Sequence, residues 1–374
     1  METFRIPFLL AFFRNLILNT ALLFFPLYFL NLGFNSSQIG FLLSLLQLTS
    51  LLLSFFIGIG NDRITPRTWI ILGSLILVAF YSLLNLSASF GWMIIAFLVG
   101  GFGINILSRS LDALVFKIVK KKDQGQKLGL YQALTTGGTL AGIVLGSFFI
   151  YKFSFHFAFL LALILSIALV IVSLTLQRTS ENNYPVKSYF KDLLQKKIII
   201  FCIILFLFAL HWGAEYTSYT PFLKNNLGLS QLGIGIYMIL PLCALIFFSY
   251  YLGKRVDKGM PSKNLLYLGV LLSGIGILFM ALTTDVVFSM FFRIIHEIGD
   301  ASFAIFIYYG IAEFFKKDRV GGDSGFVNLV LVAATFTGNL IYGPIGYNLG
   351  YQWPHIISGI LSLMIFGILL VWKR

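Results

Sequence analysis

Stretches of about 20 apolar residues, each long enough to cross the hydrocarbon core of a bilayer as a helix, recur along the whole of this chain. A span in hydrocarbon has to satisfy its own backbone hydrogen bonds. Alternating strand patterns are absent, so these runs dictate helices. Twelve spans are predicted, at about 7–30, 39–59, 69–88, 91–116, 128–150, 155–177, 198–223, 232–252, 264–283, 286–315, 324–347 and 353–372. Charged residues make up only 11% of the 374, where a soluble protein carries roughly 25%. The expected class is an all-α polytopic membrane protein with the lipid bilayer as its first partner.

The formal net charge is +13, but its placement argues against nucleic acid. Of the 27 Lys and Arg, 22 lie at the N-terminus, in the even-to-odd connections or at the C-terminus. The opposite loops hold only Lys152 and Lys224, and Arg14, Arg109 and Arg293 lie inside spans. This asymmetry follows the positive-inside rule and predicts both termini in the cytoplasm, with the protein in the plasma (inner) membrane. The first span lacks a small-residue cleavage site and is expected to be retained. Cys202 and Cys243 sit inside spans and offer no disulfide framework. His156, His211, His296 and His355 show no metal-ligand spacing, and neither a nucleophile–base pair nor a Gly-rich nucleotide loop is evident. No metal or cofactor is expected, and an intramembrane enzyme or an ATP-driven pump is disfavoured.

The chain repeats itself. "FPLYFLNLGFNSSQIG" from Phe25 matches "TPFLKNNLGLSQLGIG" from Thr220 at an offset of 195. In that register Pro26 meets Pro221, Gly33 meets Gly228, Gly40 meets Gly235, Gly58 meets Gly253, Asp62 meets Asp257 and Pro66 meets Pro261. Lys121-Lys122-Asp123 meets Lys316-Lys317-Asp318 in the same register. Two six-helix halves in one orientation follow, at 1–177 and 198–374, with a linker at 178–197 in which "YFKDLL" suits either a surface helix or a plain solvated segment.

The loops "GIGNDRITPR" and "GKRVDKGMPSK" carry a resemblance to the major facilitator superfamily. That family's signature here is a glycine, an Asp-Arg or Asp-Lys pair four residues on, a further glycine, then basic residues. Gly58, Asp62, Arg63 and Arg67 fit it, as do Gly253, Asp257, Lys258 and Lys263, while Pro66 and Pro261 replace the later glycine. The resemblance covers the whole chain. It implies a secondary transporter that rocks two halves about a central site, with a small-molecule substrate and no cofactor, and a monomer is expected. The two loops are read as a cytoplasmic gate. Glycine lets helices approach, and the Asp bonds the start of a neighbouring helix.

An ionisable group at membrane depth costs about 2.5–3.5 kcal/mol on insertion scales, so such residues are the natural site candidates. They concentrate in spans one, four, seven and ten, which in the resembled family line the cavity. Arg14, Asn15 and Asn19 form a patch on the first. Asn105, Arg109 and Asp112 share a face of the fourth, and Arg14 and Asp112 lie at similar depth, where they could pair. These residues, with Tyr216 and Tyr219, are the expected substrate contacts. On the seventh, His211, Glu215 and Tyr219 share a face. On the tenth, Arg293, Glu297 and Asp300 do, with His296 at the edge. Glu215, Glu297, Asp300, His211, His296 and Arg293 form the expected proton-coupling group, because three carboxylates in one desolvated space cannot all stay ionised. One arginine is expected to hold one acid, leaving Glu297 the favoured proton carrier. Static salt bridges are the alternative reading. The order Arg293, His296, Asp300 resembles the coupling helix of the lactose-permease and phenylpropionate-permease branch, although the acid here falls four residues past the histidine and Glu297 is additional.

Proton-coupled symport of a small organic anion is the leading functional expectation. A sugar or nucleoside symporter, an efflux antiporter and a transport-dead sensor of the same fold remain open. Gly138, Gly142 and Gly146 suit close helix contact, but no proline follows Gly142 or Gly146 as it would in the family's antiporter signature.

Overall fold

The computed structural model describes residues 4–178, 193, 195–316 and 319–372. Among these there is no strand. The helices are α1 (Arg5–Asn19), α2 (Phe25–Asn31), α3 (Ser36–Arg63), α4 (Pro66–Leu86), α5 (Phe90–Ile118), α6 (Gln124–Lys152), α7 (Phe155–Ser173), α8 (Lys196–Asn225), α9 (Gln231–Tyr237), α10 (Ile239–Asp257), α11 (Ser262–Ala281), α12 (Val286–Phe314), α13 (Val320–Leu349) and α14 (Gln352–Trp372). By length and composition, 11 spans suit a membrane, counting α1–α2 and α9–α10 as one each. The remaining helix, α12, is 29 residues long and carries Arg293, Glu297 and Asp300 in its middle. Residues 179–192 and 194 of the linker, including "YFKDLL" apart from Leu193, lie outside the described residues, as do Lys317 and Asp318.

Two spans are broken, each near a proline. Pro26 has no N–H for the Leu22 carbonyl, and the chain passes through a 3₁₀ turn at Leu22–Phe24 between α1 and α2. Pro241 likewise cannot bond Tyr237, and the helix is interrupted at Met238. Both breaks lie beside the cavity described below.

The sequence repeat reappears as repeated local structure. Gly33 and Gly228, 195 residues apart, take left-handed φ angles of +79° and +68° just after a helix end. That conformation favours glycine, which has no Cβ to clash there. Two residues on, Asn35 caps α3 by accepting from Gln38 N, and Ser230 caps α9 by accepting from Gly233 N.

Lipid tails are as apolar as leucine, so helices here associate by close packing rather than by the hydrophobic effect. On α6, Gly138, Gly142 and Gly146 lie against the Phe12, Leu16 and Thr20 carbonyls of α1, where a Cβ would overlap each oxygen. The first seven helices pack mainly among themselves, as do the last seven. The two groups meet chiefly through α3 against α13 and α6 against α10. This arrangement leaves α1, α5, α8 and α12 to surround the centre.

At the basic end of the molecule, where the described residues begin and end, the groups are locked together. Asp62 is fully buried and accepts from Gly321 N at 3.2 Å and Gly322 N at 2.9 Å, at the start of α13. Asp257 accepts from Gly125 N at 2.8 Å and Gln126 N at 2.7 Å, at the start of α6. Each carboxylate therefore sits on the positive end of a helix from the other group. Gly58 abuts the Gly321 carbonyl and Gly253 the Gly125 carbonyl, leaving no room for a side chain. Lys117 Nζ stands 3.5 Å from Asp62, Arg67 donates to the Leu174 carbonyl at 3.0 Å, and Lys258 is exposed. Toward the centre, the rings of Phe116 and Tyr131 pack on Tyr308 at 5.9 and 6.1 Å. At the other end, α3 and α13 leave a groove of about 470 Å³ lined by Phe41, Ser44, Leu48, Phe336 and Pro344. The molecule is thus shut at the basic end and gapped toward the opposite one.

Candidate transport cavity

Two connected chambers lie at the centre. The first, of about 440 Å³, is walled by Asn15, Asn19, Gln47, Asn105 and Arg109 on one side and by Asn328, Thr335 and Asn339 of α13 on the other. The second, of about 370 Å³, is bounded by Glu215, Tyr219, Arg293, Glu297 and Asp300. Asn19, Thr139, Trp212 and Tyr216 line both chambers.

The first chamber is built of amides and one accessible guanidinium. Arg109 Nη1 lies 3.0 Å from Asp112 Oδ2, and the Tyr131 hydroxyl donates to Asp112 Oδ1 at 2.7 Å. The expected Arg14–Asp112 pair is not what forms. Asp112 is three residues from Arg109 on one helix, a spacing that brings side chains together without any tertiary adjustment. Arg14 is buried beside the chamber wall, its Nε donating to Asn15 Oδ1 at 3.0 Å, and it does not line the chamber. Asn15 is held by the Thr135 carbonyl and Asn19 by the Asn15 carbonyl, both at 2.9 Å. Asn105 Oδ1 accepts from Ser54, which in turn accepts from Asn328 at 2.8 Å, joining α5, α3 and α13. Asn105 Nδ2, both polar atoms of the Asn339 amide and Arg109 Nε are buried without a hydrogen-bond partner. A buried polar atom left unpaired is costly, so these groups are poised for a solute or water.

The second chamber is organised around Arg293. Its guanidinium bonds Glu215 across the α8–α12 contact and Glu297 one turn along α12, the latter at 2.7 Å, while lying 4.4 Å over the Tyr219 ring. One arginine therefore holds two acids where one was expected, and Tyr219 supports the arginine. Asp300 is the acid without an arginine. It accepts from Trp212 Nε1 at 3.2 Å and from Ser273 Oγ at 3.0 Å, with His211 Nε2 at 3.6 Å and His296 Nε2 at 3.7 Å. His296 Nε2 is also 3.0 Å from Glu215 Oε1. Close helix packing makes this possible. Gly276 abuts the His296 backbone and Gly299 the Ser273 backbone, drawing α11 and α12 together at the level of the cluster.

All six expected coupling residues are thus brought into one cluster. Of the expected substrate contacts, Asn15, Asn19, Asn105, Arg109 and Tyr216 line a chamber, Tyr219 lines the second chamber under Arg293, and Arg14 and Asp112 lie behind. Gln47, Trp212, Asn328, Thr335 and Asn339 are cavity residues that sequence reasoning missed. Asn328, Thr335 and Asn339 fall at i, i+7 and i+11, one helical face, a signal available in the sequence. The absence of metal spacing also needs correction. His211 and Glu215, and His296 and Asp300, are two i,i+4 pairs on different helices, and four of their donor atoms lie within 4.8 Å of one another.

Residues 7–284 and 201–374 match the profile of the Major Facilitator Superfamily. The chain belongs to that superfamily: it is an integral membrane transporter, not an enzyme. It is 23% identical over 365 residues to "Multidrug resistance protein 2" of Bacillus subtilis (strain 168), covering 91% of this chain and 87% of the relative. Its fold is similar to that of the human organic anion transporter MFSD10 (TETRAN), with a TM-score of 0.79 at 15% identity over 98% of each chain. It is also similar to the proton:xylose symporter XylE bound to 6-bromo-6-deoxy-D-glucose, with a TM-score of 0.75 at 13% identity over 100% of this chain and 96% of that one.

Proposed function

We propose that the protein is a proton-coupled symporter of a small organic anion, carried by alternating access between two six-helix halves, with its termini in the cytoplasm. The observation that carries the substrate class is Arg109. Its guanidinium opens on the first chamber, its buried Nε has no acceptor in the protein, and unpartnered amides surround it. Arg14 behind it leaves this wall with one more cation than acid. Facing it, Glu215, Glu297 and Asp300 outnumber Arg293, and that acid excess is where the coupling proton is taken up. The basic-end contacts of Asp62 and Asp257 with helix starts serve as the gate that must open for release.

A neutral polyhydroxylated solute is the second reading. The ring of Asn19, Gln47, Asn105, Asn328 and Asn339 favours it, since amides pair with hydroxyls as donors and acceptors at once. Export is the alternative direction, in keeping with the name of the Bacillus relative. Thermal-shift screening of the purified protein against small acids, sugars and nucleosides finds the ligand class, because a ligand of the folded state raises apparent stability. Binding to Arg109→Ala and Arg109→Lys then tests the site. An anion is expected to lose binding with alanine and keep part of it with lysine, which retains the charge but not the fork. A ligand that binds wild type and Arg109→Ala equally well would rule out the anion reading.

A further inference from the structure

The cluster at the α8–α12 contact has the chemistry of a metal site. We propose that His211, Glu215, His296 and Asp300 bind one divalent transition-metal ion of zinc's class. This inference stands apart from the solute reading at Arg109; it shares Glu215 and Asp300 with the proposed coupling group, and ion and proton compete for those carboxylates.

The orientation of the two imidazoles carries the argument. His211 Nδ1 lies 2.6 Å from the Phe208 carbonyl, and His296 Nδ1 lies 3.0 Å from the Ser273 carbonyl. A carbonyl only accepts, so in both rings Nδ1 carries the hydrogen and donates it. In the neutral ring the lone pair is then on Nε2. Both Nε2 atoms are buried with no hydrogen-bond partner, on residues no more than 1% exposed. Each stands close to a carboxylate oxygen, at 3.0 Å for His296 and Glu215 and at 3.6 Å for His211 and Asp300. Electron-rich atoms gathered this tightly need a cation among them.

Donor type selects the cation. Magnesium and calcium favour all-oxygen shells, whereas two imidazole nitrogens with two carboxylates suit zinc and its neighbours. The spacing is close to what such an ion imposes. Ligand atoms at about 2.0–2.2 Å from a tetrahedral zinc lie roughly 3.3–3.6 Å apart, and the four donor atoms here lie within 4.8 Å of one another, so a small contraction closes the site.

The outer groups are those that metal ligands require. Backbone carbonyls hold both histidines. Arg293 holds Glu215, and Trp212 and Ser273 hold Asp300. Charge agrees as well. With neutral imidazoles, the three carboxylates Glu215, Glu297 and Asp300 against Arg293 leave an excess of two negative charges, which one divalent ion balances. Access is from the second chamber, which Glu215 and Asp300 line while both imidazoles lie behind them. An arriving ion meets the carboxylates first.

The test is a cobalt titration of the full-length protein in detergent. It is carried out in a Cys243→Ser background, because that exposed thiol is a competing donor. Expected is one Co²⁺ per chain with the intense visible absorption of a tetrahedral site, displaced by Zn²⁺. His296→Ala and Glu215→Gln should each weaken binding by at least about 100-fold. Ser273→Ala, which removes only an outer group, should weaken it by about 10-fold or more. His156→Ala, on an exposed histidine outside the cluster, should bind as the parent does. Thermal unfolding curves identify variants that have lost the fold, and Ser273→Ala keeps the test decisive if His296→Ala is one of them. Weak octahedral-type absorption, equal in the parent and Ser273→Ala, overturns the proposal. So does loss of the tetrahedral signal in His156→Ala. Neither result bears on whether Arg109 binds a solute.

Discussion

The two walls of the cavity hold similar residues in different arrangements. On the α1–α5 side, two arginines and one acid are loosely satisfied. Arg109 takes Asp112, Arg14 bonds the neighbouring Asn15 and lies beside Tyr131 and Asp112, and several amide and guanidinium atoms have no partner. On the α8–α12 side, one arginine, three acids and two histidines form a dense charge network in which every carboxylate lies near the arginine or an imidazole, although Arg293 Nε and both histidine Nε2 atoms lack a hydrogen-bond partner. The first arrangement waits for a partner from solution. The second pairs most of its charge within the protein and keeps an excess of acid, which suits it to a small cation. Because the chain repeats at an offset of 195, this difference was laid on top of a common backbone plan.

The largest test of that contrast removes the same residue type from each wall. Arg293→Ala strips Glu215 and Glu297 of their shared partner, leaving uncompensated buried charge, at a cost of about 3–5 kcal/mol. Arg14→Ala removes the hydrogen bond to Asn15 and a cation beside Tyr131 and Asp112 but breaks no ion pair, costing about 1–2 kcal/mol. Thermal unfolding in detergent should show a clearly larger loss for Arg293→Ala, partly restored by Arg293→Lys. Equal losses would mean that the acid wall is not the charge network described.

Coupling comes next in size, and the two acids of α12 stand in different surroundings. Sequence alone favoured Glu297 as the proton carrier. Glu297 is 3% exposed and held by Arg293 at 2.7 Å, whereas Asp300 has only neutral donors and imidazoles. Asp300→Asn is therefore expected to abolish pH-gradient-driven accumulation in proteoliposomes while leaving substrate counterflow intact, since exchange moves no net proton. Glu297→Gln should impair both, because it unsettles Arg293. If both variants still accumulate substrate under a pH gradient, the cluster is a static salt-bridge network.

How much of this was legible follows from what kind of fact each feature is. Span positions, the repeat and the helix faces are local periodicities, so a sequence shows them directly. That the helices carrying Glu215 and Arg293 line one cavity came instead from the family resemblance. The choice of partner is a tertiary fact. Arg14 and Arg109 both lay within reach of Asp112, and only the fold shows that the neighbour on the same helix takes it. Asn328, Thr335 and Asn339 were overlooked because uncharged polar residues do not stand out in a Gly-rich apolar helix. The pairing of His211–Glu215 with His296–Asp300 was out of reach for a plainer reason. Each helix offers only half of a donor set, and 81 residues separate Glu215 from His296.

The smallest expected effect concerns the place where the two halves are most alike. Asp62 and Asp257 occupy equivalent positions and each caps a helix of the other group, yet their surroundings differ. Asp62 is fully buried with Lys117 Nζ at 3.5 Å, whereas Asp257 sits at an exposed position. A carboxylate on a helix start contributes about 0.3–1 kcal/mol when exposed and up to about 2 kcal/mol when partly buried. Asparagine keeps one acceptor oxygen but removes the charge, so each substitution should favour opening at the basic end by about those amounts. That is roughly 30-fold in the closed-to-open ratio for Asp62→Asn and about 2–5-fold for Asp257→Asn. Cysteines placed at the two ends, labelled from each side, report the ratio. Because water and salt screen Asp257 and not Asp62, added salt should shrink the Asp257→Asn effect and leave that of Asp62→Asn nearly unchanged. Equal shifts in the two variants would mean that the repeat sets the gate energies and burial does not, and unchanged labelling in both would mean that these contacts are not the gate.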